Sequence, residues 1–184
     1  VGRLHKSIDG GATWRELELG LRGTEDLYSL EIDPHNPQTL LAATKQGLRM
    51  SMDGGATWTD AGAGLGSYLC KGLAFHPARK GTVYAGTAGT GFFKSMDGGK
   101  TFENVFQGAH PDHHAVWVDP HNGRHVISGN DGGIDISWDG GKNIYGVASK
   151  AWAEVYNVAF DMRDPYYVYV GLQDNGNWGG PSNS

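Results

Sequence analysis

The chain has 184 residues, with 15 lysines and arginines against 20 aspartates and glutamates, which gives a formal net charge of −5. This balance argues against a nucleic-acid-binding protein, which normally carries a basic face, and no apolar run approaches the roughly 18 residues of a membrane helix. The 30 glycines indicate many tight turns, and the single cysteine, Cys70, excludes an internal disulfide framework.

The two ends of the chain look unfinished. It begins at Val1, without a methionine or a signal-like stretch, and it ends on the letters NWGGPSNS, which are typical of a loop. We therefore expect a processed chain or a fragment of a longer one, from which a signal peptide could have been removed.

An octamer with the letters SIDGGATW organises the sequence. Further copies read SMDGGATW, SMDGGKTF and SWDGGKNI, and the opening serines of successive copies lie 44, 44 and 42 residues apart. A second series, LEIDP, LAFHP, VWVDP and VAFDM, recurs at spacings of 43, 43 and 42 residues. Each repeat contains four short apolar or β-branched runs bounded by turn residues, and none has a helical period. A fixed period of roughly 40–45 residues is typical of a β-propeller blade.

The predicted elements follow the chain as blades of four antiparallel strands, named a for the innermost to d for the outermost. Residues 1–26 supply strands c and d of a partial blade. Whole blades follow at about 27–61, 69–106 and 113–147, and residues 153–184 supply strands a and b of another partial blade. The sequence therefore predicts an all-β fold, a single β-propeller domain over residues 1–184. A longer chain, pairing of the two end halves or closure between copies would protect the exposed strand edges.

The octamer has the chemistry of a tight hairpin turn between strands c and d. An Asp followed by two glycines can bond its own backbone while the glycines take positive φ, and the Ser and Thr hydroxyls satisfy further donors. The aromatic residue at its end is predicted to pack between neighbouring blades. A calcium loop is excluded, because too few oxygen ligands follow each Asp. Four equivalent copies cannot all have the unique geometry of an active site, so we interpret their residues as structural. These residues are Ser7, Asp9, Trp14, Ser51, Asp53, Trp58, Ser95, Asp97, Phe102, Ser137 and Asp139.

The pattern S-x-D-G-G-x-T-W closely resembles the Asp-box of sialidase-like, sortilin-like and bacterial BNR-type propellers. The fourth copy departs from it, with Asn143 for the Thr and Ile144 for the aromatic residue. From about residue 110 onward, the letters HPDHHAVWVDP, SGNDGGIDIS and GLQDNGNWGGPS are similar to bacterial sortilin-like, glycosyl-hydrolase-type BNR proteins. That resemblance implies a large secreted or surface-exposed propeller, located outside the cell, in the periplasm or on the cell surface.

Strand alternation sends the a–b and c–d loops to one end of the blades and the b–c and d–a loops to the other. Ligands of propellers usually bind at a concave channel mouth rimmed by such loops. At the b–c and d–a end, polar and aromatic residues concentrate in the last two blades, and the predicted ligand contacts are Asn130, Gln173, Asn175, Trp152, Trp178, His110, Asp112 and His114. The leading interpretation is a non-catalytic module for recognition of a protein or carbohydrate ligand, or for assembly. No cofactor and no nucleic-acid or membrane partner is predicted.

An alternative is a glycoside hydrolase that uses Asp131 and Asp174. Xyloglucan-active glycosidases built from two propellers place a catalytic Asp in a b–c loop, in a T-D-V-G-G context, and the letters NDGG and QDNG are similar here. Such chemistry needs two carboxylates about 5–5.5 Å apart for retention or about 6.5–9.5 Å apart for inversion. Only one propeller domain is present, however, and the Val of the motif is absent. A simple turn role for both aspartates stays open.

The letters HPDHH raise the question of a metal, because His and Asp are common ligands. Alternate side chains of a strand face opposite ways, so only His110, Asp112 and His114 would share a face. We predict no metal site here. His113 or His114 is instead a candidate for a buried, hydrogen-bonded residue at the start of strand a, and Cys70 is a candidate for a small core residue.

Overall fold

The computed structural model describes residues 4–17, 27–66, 69–105, 110–147, 155–161, 163–172 and 177–181. Within these ranges the chain forms strands and no helix, so the all-β prediction is confirmed. The same ranges therefore contain no helix of the length and apolarity needed to cross a membrane.

The strands pair into five antiparallel sheets that follow the chain, and neighbours in each sheet are neighbours in sequence. The first sheet has two strands, β1 (Leu4–Lys6) and β2 (Arg15–Leu17). The second sheet has β3 (Leu27–Ile32), β4 (Leu40–Thr44), β5 (Gly47–Ser51) and β6 (Thr59–Ala61). The third has β7 (Cys70–Phe75), β8 (Val83–Thr87), β9 (Gly91–Ser95) and β10 (Glu103–Asn104). The fourth has β11 (His113–Val118), β12 (Val126–Asn130), β13 (Gly133–Ser137) and β14 (Tyr145–Val147).

The fifth sheet contains a strand where the sequence predicts a loop. Its strands are β15 (Val155–Phe160), β16 (Tyr167–Leu172) and β17 (Asn177–Pro181), and β17 pairs antiparallel with β16. Gly179 lies so close to the Tyr169 ring that an added Cβ would come within 2.7 Å of it. The Gly-Gly pair therefore permits a close packing of backbone on aromatic ring that the loop prediction did not consider. The first and fifth sheets together hold five strands, one more than a four-stranded blade.

The core consists of separate apolar clusters between successive sheets. Leu41 and Leu48 of the second sheet pack with Val83 and Phe93 of the third. The opposite face of the third sheet contributes Tyr84 to a cluster with residues of the fourth sheet. Because successive side chains of a strand point to opposite faces, one strand such as β8 serves two interfaces. All residues of β4, β8 and β12 are buried, as expected for strands covered on both faces.

The four octamers form turns with one hydrogen-bond pattern. In the third sheet, Ser95 Oγ accepts from Gly99 N at 2.9 Å, and Asp97 accepts from the amide and the hydroxyl of Thr101 at 2.9 and 2.6 Å. Equivalent bonds recur in the other copies. In the fourth copy the Asn143 amide donates the side-chain bond in place of a threonine hydroxyl. Both glycines of every octamer have φ between 70° and 96°, a region that side chains disfavour.

The octamers also join neighbouring sheets. Gly62 N and Ala63 N of the second sheet's d–a connection donate to the Gly99 and Lys100 carbonyls, and Phe102 N donates back to the Ala63 carbonyl. Gly62 and Ala63 lie beside the b–c turn of their own sheet, at Gln46 and Gly47, as the sequence predicts, but their contact with the octamer of the next sheet was not predicted. Strand twist accumulates across a blade, which brings the outer strand of one sheet beside the octamer of the next.

The octamer aromatics differ in burial. Phe102 is 5% exposed and belongs to the cluster between the second and third sheets, as predicted. Trp14 is 64% exposed, and its indole N–H donates to the Gly11 carbonyl of its own turn. The prediction of inter-blade packing stays a prediction for Trp14. Its turn belongs to the first sheet, and the described residues place no other sheet on that side of it.

Candidate functional site

A short segment that leads into β11 is held between the b–c turns of two neighbouring sheets. Gly89 N and Gly91 N of the third sheet donate to the Pro111 carbonyl at 3.0 and 2.8 Å. On the other side, Asp131 N of the fourth sheet donates to the Asp112 carbonyl at 3.2 Å. The segment is therefore fixed by its backbone at the b–c end of the blades.

Three potential ligand side chains converge at this place. His114 Nε2 lies 2.6 Å from Asp131 Oδ1 and 4.0 Å from Asp112 Oδ1. One ligand atom from each of the three residues lies within 4.8 Å of the others. Asp112 Oδ1 is buried, and no described residue donates a hydrogen bond to it. This group is called the Asp–His–Asp cluster below, and its residues could hold a cation.

The structure explains why Asp131 is free to join the cluster. Asn130, at the end of β12, accepts the Gly132 amide proton on Oδ1 at 2.8 Å, so Asn130 makes the side-chain bond that closes the turn. Its Nδ2 donates to Asp135 Oδ2 at 2.6 Å. The Asp131 carboxylate is directed instead to His114. Asn130 is only 2% exposed, so its burial contradicts the predicted role as a ligand contact.

His110 supplies no ligand atom to the Asp–His–Asp cluster. Its Nδ1 accepts the Asp112 amide proton at 3.2 Å, and its ring lies over Gly132. Strand alternation does not govern His110 and Asp112, because β11 begins only at His113 and is irregular between His113 and Ala115. Such an irregularity re-aims the side chains around it. His110 is exposed at the same end of the blades, beside the Asp–His–Asp cluster.

His113 is buried and hydrogen-bonded, which confirms the prediction for the start of the innermost strand. Its Nδ1 lies 2.8 Å from Ser128 Oγ, and the Ser128 hydroxyl donates to the Ala115 carbonyl. Burial, reinforced by the neighbouring His110, lowers the pKa of His113 to about 4. The ring is therefore neutral near pH 7. Asp135, on the same side of the sheet, has its pKa raised by burial, although the Asn130 bond opposes this shift.

Five predicted site residues lie wholly or partly outside the described residues. Asp174, Gln173, Asn175 and Trp152 lie outside the described residues, and of Trp178 only the backbone, in β17, is described. The separation of the Asp131 and Asp174 carboxylates is therefore not part of the described geometry.

The structure contains a second polar cluster, at the octamer end, that was not predicted from the sequence. The buried His125 ring stacks on Trp138 with 3.8 Å between ring centroids, and Asp119 Oδ2 lies 3.7 Å from its Nδ1. The hydroxyl of Tyr166, the residue before β16, also bonds the ring. Burial lowers the pKa of His125, and Asp119 opposes this shift. The Tyr166 hydroxyl comes from 41 residues beyond His125, so no local motif indicates this cluster.

A row of exposed apolar side chains was also missed. The second residue of each octamer is Ile8, Met52, Met96 or Trp138, and these are 84, 66, 67 and 45% exposed. In the pattern S-x-D-G-G-x-T-W this second position is variable, but a large apolar residue occupies it in all four copies of this chain.

The successive sheets and their inter-sheet cores define the chain as a β-propeller. No known protein family has a model that matches the sequence, and no curated protein matches it. Solved structures do match. The extracellular domain of BT4673 from B. thetaiotaomicron aligns over 99% of this chain and 25% of that one, with a TM-score of 0.73 and 16% identity.

Two further structures share the fold. The GH74 enzyme of Niastella koreensis aligns over 85% of this chain and 28% of its own, with a TM-score of 0.68 and 20% identity. YCF48 bound to the D1 peptide aligns over 89% of this chain and 54% of its own, with a TM-score of 0.64 and 13% identity. The chain thus spans about a quarter to a half of the length of these proteins.

Proposed function

We propose that this chain is part of a propeller that recognises a protein or carbohydrate ligand without catalysis. The observation that carries the proposal is the Asp–His–Asp cluster, in which Asp112, His114 and Asp131 converge at the b–c end of the blades. Their side chains are 34, 15 and 38% exposed, so polar groups on a fixed backbone remain accessible to a ligand. A few convergent polar groups on a rigid scaffold are what recognition sites require.

The structural neighbours support this proposal. The YCF48 structure has a bound peptide, and the matching part of BT4673 is an extracellular domain. We propose an extracellular, periplasmic or cell-surface location for this chain on the same grounds.

The organisation of the chain belongs to the same proposal. Residues 1–184 form one propeller domain, with partial blades at 1–26 and 153–184, and the octamers are structural Asp-boxes. Their shared bonding pattern and their contacts with neighbouring sheets support the structural role.

Binding to a glycan array and to a peptide array tests the proposed function. Alanine variants of His114 and Asp131 are expected to lose array signals that the unaltered chain gives. Met52→Ala is the matched control, because Met52 is exposed at the octamer end and lies outside the cluster. Signals that survive both cluster variants, or that disappear equally in Met52→Ala, would contradict the proposed site.

A second candidate is a glycoside hydrolase with Asp131 and Asp174 as its carboxylates. It is favoured by the likeness to GH74 enzymes and by the accessible Asp131 carboxylate that follows β12. The test is release of reducing sugar from xyloglucan, with Asp131→Asn and Asp174→Asn each expected to abolish it. Absence of sugar release by the unaltered chain would exclude xyloglucan hydrolysis by this chain.

A further inference from the structure

We propose that Asp112, His114 and Asp131 bind one divalent first-row transition-metal cation, for which Zn²⁺ is the probe. The inference goes beyond ligand recognition, because a cation can bind here whether or not a protein or glycan does. It begins from the geometry of the three ligand atoms, which lie within 4.8 Å of one another. A cation between them would meet oxygen and nitrogen ligands at about 2.0–2.2 Å after small side-chain rotations.

The buried carboxylate oxygen of Asp112 supplies an independent argument. Its Oδ1 is buried, and no donor among the described residues reaches it. Leaving such an oxygen without a partner is costly, more so when it carries charge. His114 Nε2 lies 4.0 Å from this oxygen, which is too far for a hydrogen bond. A cation in the cluster would provide the missing partner.

The charge of the cluster also favours a bound cation. Two carboxylates flank one imidazole, and that imidazole contacts Asp131 at 2.6 Å but Asp112 only at 4.0 Å. A divalent cation would balance both carboxylates at once, and the Nε2 proton that the imidazole donates to Asp131 would move through solvent to Nδ1, which leaves the Nε2 lone pair for the metal. Neutral imidazole and ionised carboxylate are the forms that bind metals near pH 7.

The backbone already holds the ligands in place. Asp131 N donates to the Asp112 carbonyl at 3.2 Å, which ties the two carboxylate residues together. Ala88 forms a bridge with Asp112, and the Pro111 carbonyl accepts two amide protons from the third sheet. Little backbone order would therefore be lost on binding, which favours affinity.

The ligand set selects the kind of ion. One imidazole nitrogen with two carboxylate oxygens suits Zn²⁺, Mn²⁺ and similar ions, whereas Ca²⁺ and Mg²⁺ prefer oxygen ligands alone. Three protein ligands leave the fourth tetrahedral position for water or for an oxygen of a ligand. The expected order is therefore Zn²⁺ binding well ahead of Mg²⁺ and Ca²⁺.

Calorimetric titration of the untagged, chelator-treated chain with ZnCl₂ tests the proposal. One ion per chain is expected, and Asp112→Asn, His114→Gln and Asp131→Asn should each weaken binding by at least about 10-fold, as removal of a direct ligand exceeds typical outer-shell losses. His121→Gln is the matched control, because His121 is an exposed imidazole outside the cluster, and it should leave the affinity unchanged.

Two further measurements keep the test independent of folding and of the proposed function. Cooperative thermal melts in chelator should show that each cluster variant is folded, and ZnCl₂ should raise the melting temperature only in the unaltered chain and in His121→Gln. Co²⁺ should give visible absorption bands that the variants lose. Absence of zinc binding, or binding that survives all three substitutions, would overturn the metal site, whereas the array experiments judge ligand recognition separately.

Discussion

The ammonium group of Lys94 donates a 2.9 Å hydrogen bond to the carbonyl oxygen of Gly140, across the boundary between the third and fourth sheets. The Tyr84 hydroxyl donates to the same oxygen at 3.1 Å. In the first sheet, Lys6 makes the corresponding bond to the Gly54 carbonyl at 2.6 Å. The octamer turn of one sheet is thus an anchoring point for the sheet before it.

The two donors to Gly140 are expected to substitute for each other. Lys94→Met, which copies the Met50 of the second sheet, and Tyr84→Phe should each lower the free energy of unfolding by about 1 kcal/mol or less. The double variant should lose about 1 kcal/mol more than the sum, because the carbonyl then lacks both donors. Urea unfolding gives the unfolding free energies of the unaltered chain, the two single variants and the double variant. Lys100→Met, at an exposed lysine, is the control. Strict additivity would mean that the two bonds act independently.

The buried serine of an internal octamer should matter more than its exposed equivalent. Ser95→Ala removes the acceptor of the buried Gly99 N–H bond and should cost about 1–3 kcal/mol of unfolding free energy. Ser7→Ala removes the same bond in an exposed turn, where water can replace the hydroxyl, and should cost clearly less. Urea midpoints of the two variants give the comparison. Equal losses would show that burial of the turn is irrelevant.

Much of the fold could be predicted because its information is local and repeated. The Ser-x-Asp-Gly-Gly letters specify the turn, and their period specifies one sheet per repeat. The contact of Gly62 with the Gly99 carbonyl could not be predicted, because it depends on how strand twist brings different sheets together. The strand β17 was missed for a related reason, since two glycines are a loop signal unless an aromatic ring such as Tyr169 covers them.

The candidate site was only partly predictable. The sequence singled out His114, Asp112 and Asp131 as polar residues of one end, but not that they meet. The contact of His114 with Asp131 spans 17 residues and depends on the irregular start of β11, which alternation rules do not foresee. Asn130 was misjudged because an Asn beside a turn can serve a ligand or the turn itself, and only its burial distinguishes the two.

Acid should weaken the octamer turns. The hydrogen bonds from the Thr57 hydroxyl and amide hold the pKa of Asp53 at about 2, below the unfolded value of 3.8. A lowered folded pKa stabilises the fold above the unfolded pKa, and this stabilisation is lost as pH falls from about 4 to about 2. Asp53→Asn should therefore be less stable at pH 7 and should show a smaller stability loss between pH 4 and pH 2. If the unfolding free energies of the variant and of the unaltered chain fell equally between pH 4 and pH 2, the hydrogen bonds from Thr57 would not be lowering the pKa of Asp53.

The thiol of Cys70 should be unreactive in the folded chain. Cys70 is fully buried in the core between the second and third sheets, as the sequence predicts, and burial raises its pKa to about 12. The reactive species is the thiolate, so both access and ionisation are suppressed. A chromogenic disulfide reagent should label the thiol rapidly in denaturing urea and negligibly in buffer. Comparable rates in the two conditions would contradict its placement.

Glu31 should give a pH effect of the opposite sign to that of Asp53. Its carboxyl lies in a groove of about 310 Å³ along the innermost strands, beside Leu73 and Val116, and burial raises its pKa from 4.5 to about 7. Between pH 4.5 and 7 the unfolded chain releases this proton while the folded chain keeps it, so stability falls as pH rises. Glu31→Gln keeps the shape of the side chain but cannot ionise. The variant should match the unaltered chain near pH 4 and be more stable at pH 8, as measured by urea unfolding across this range. An identical pH slope in both proteins would show that Glu31 is ionised in the folded state.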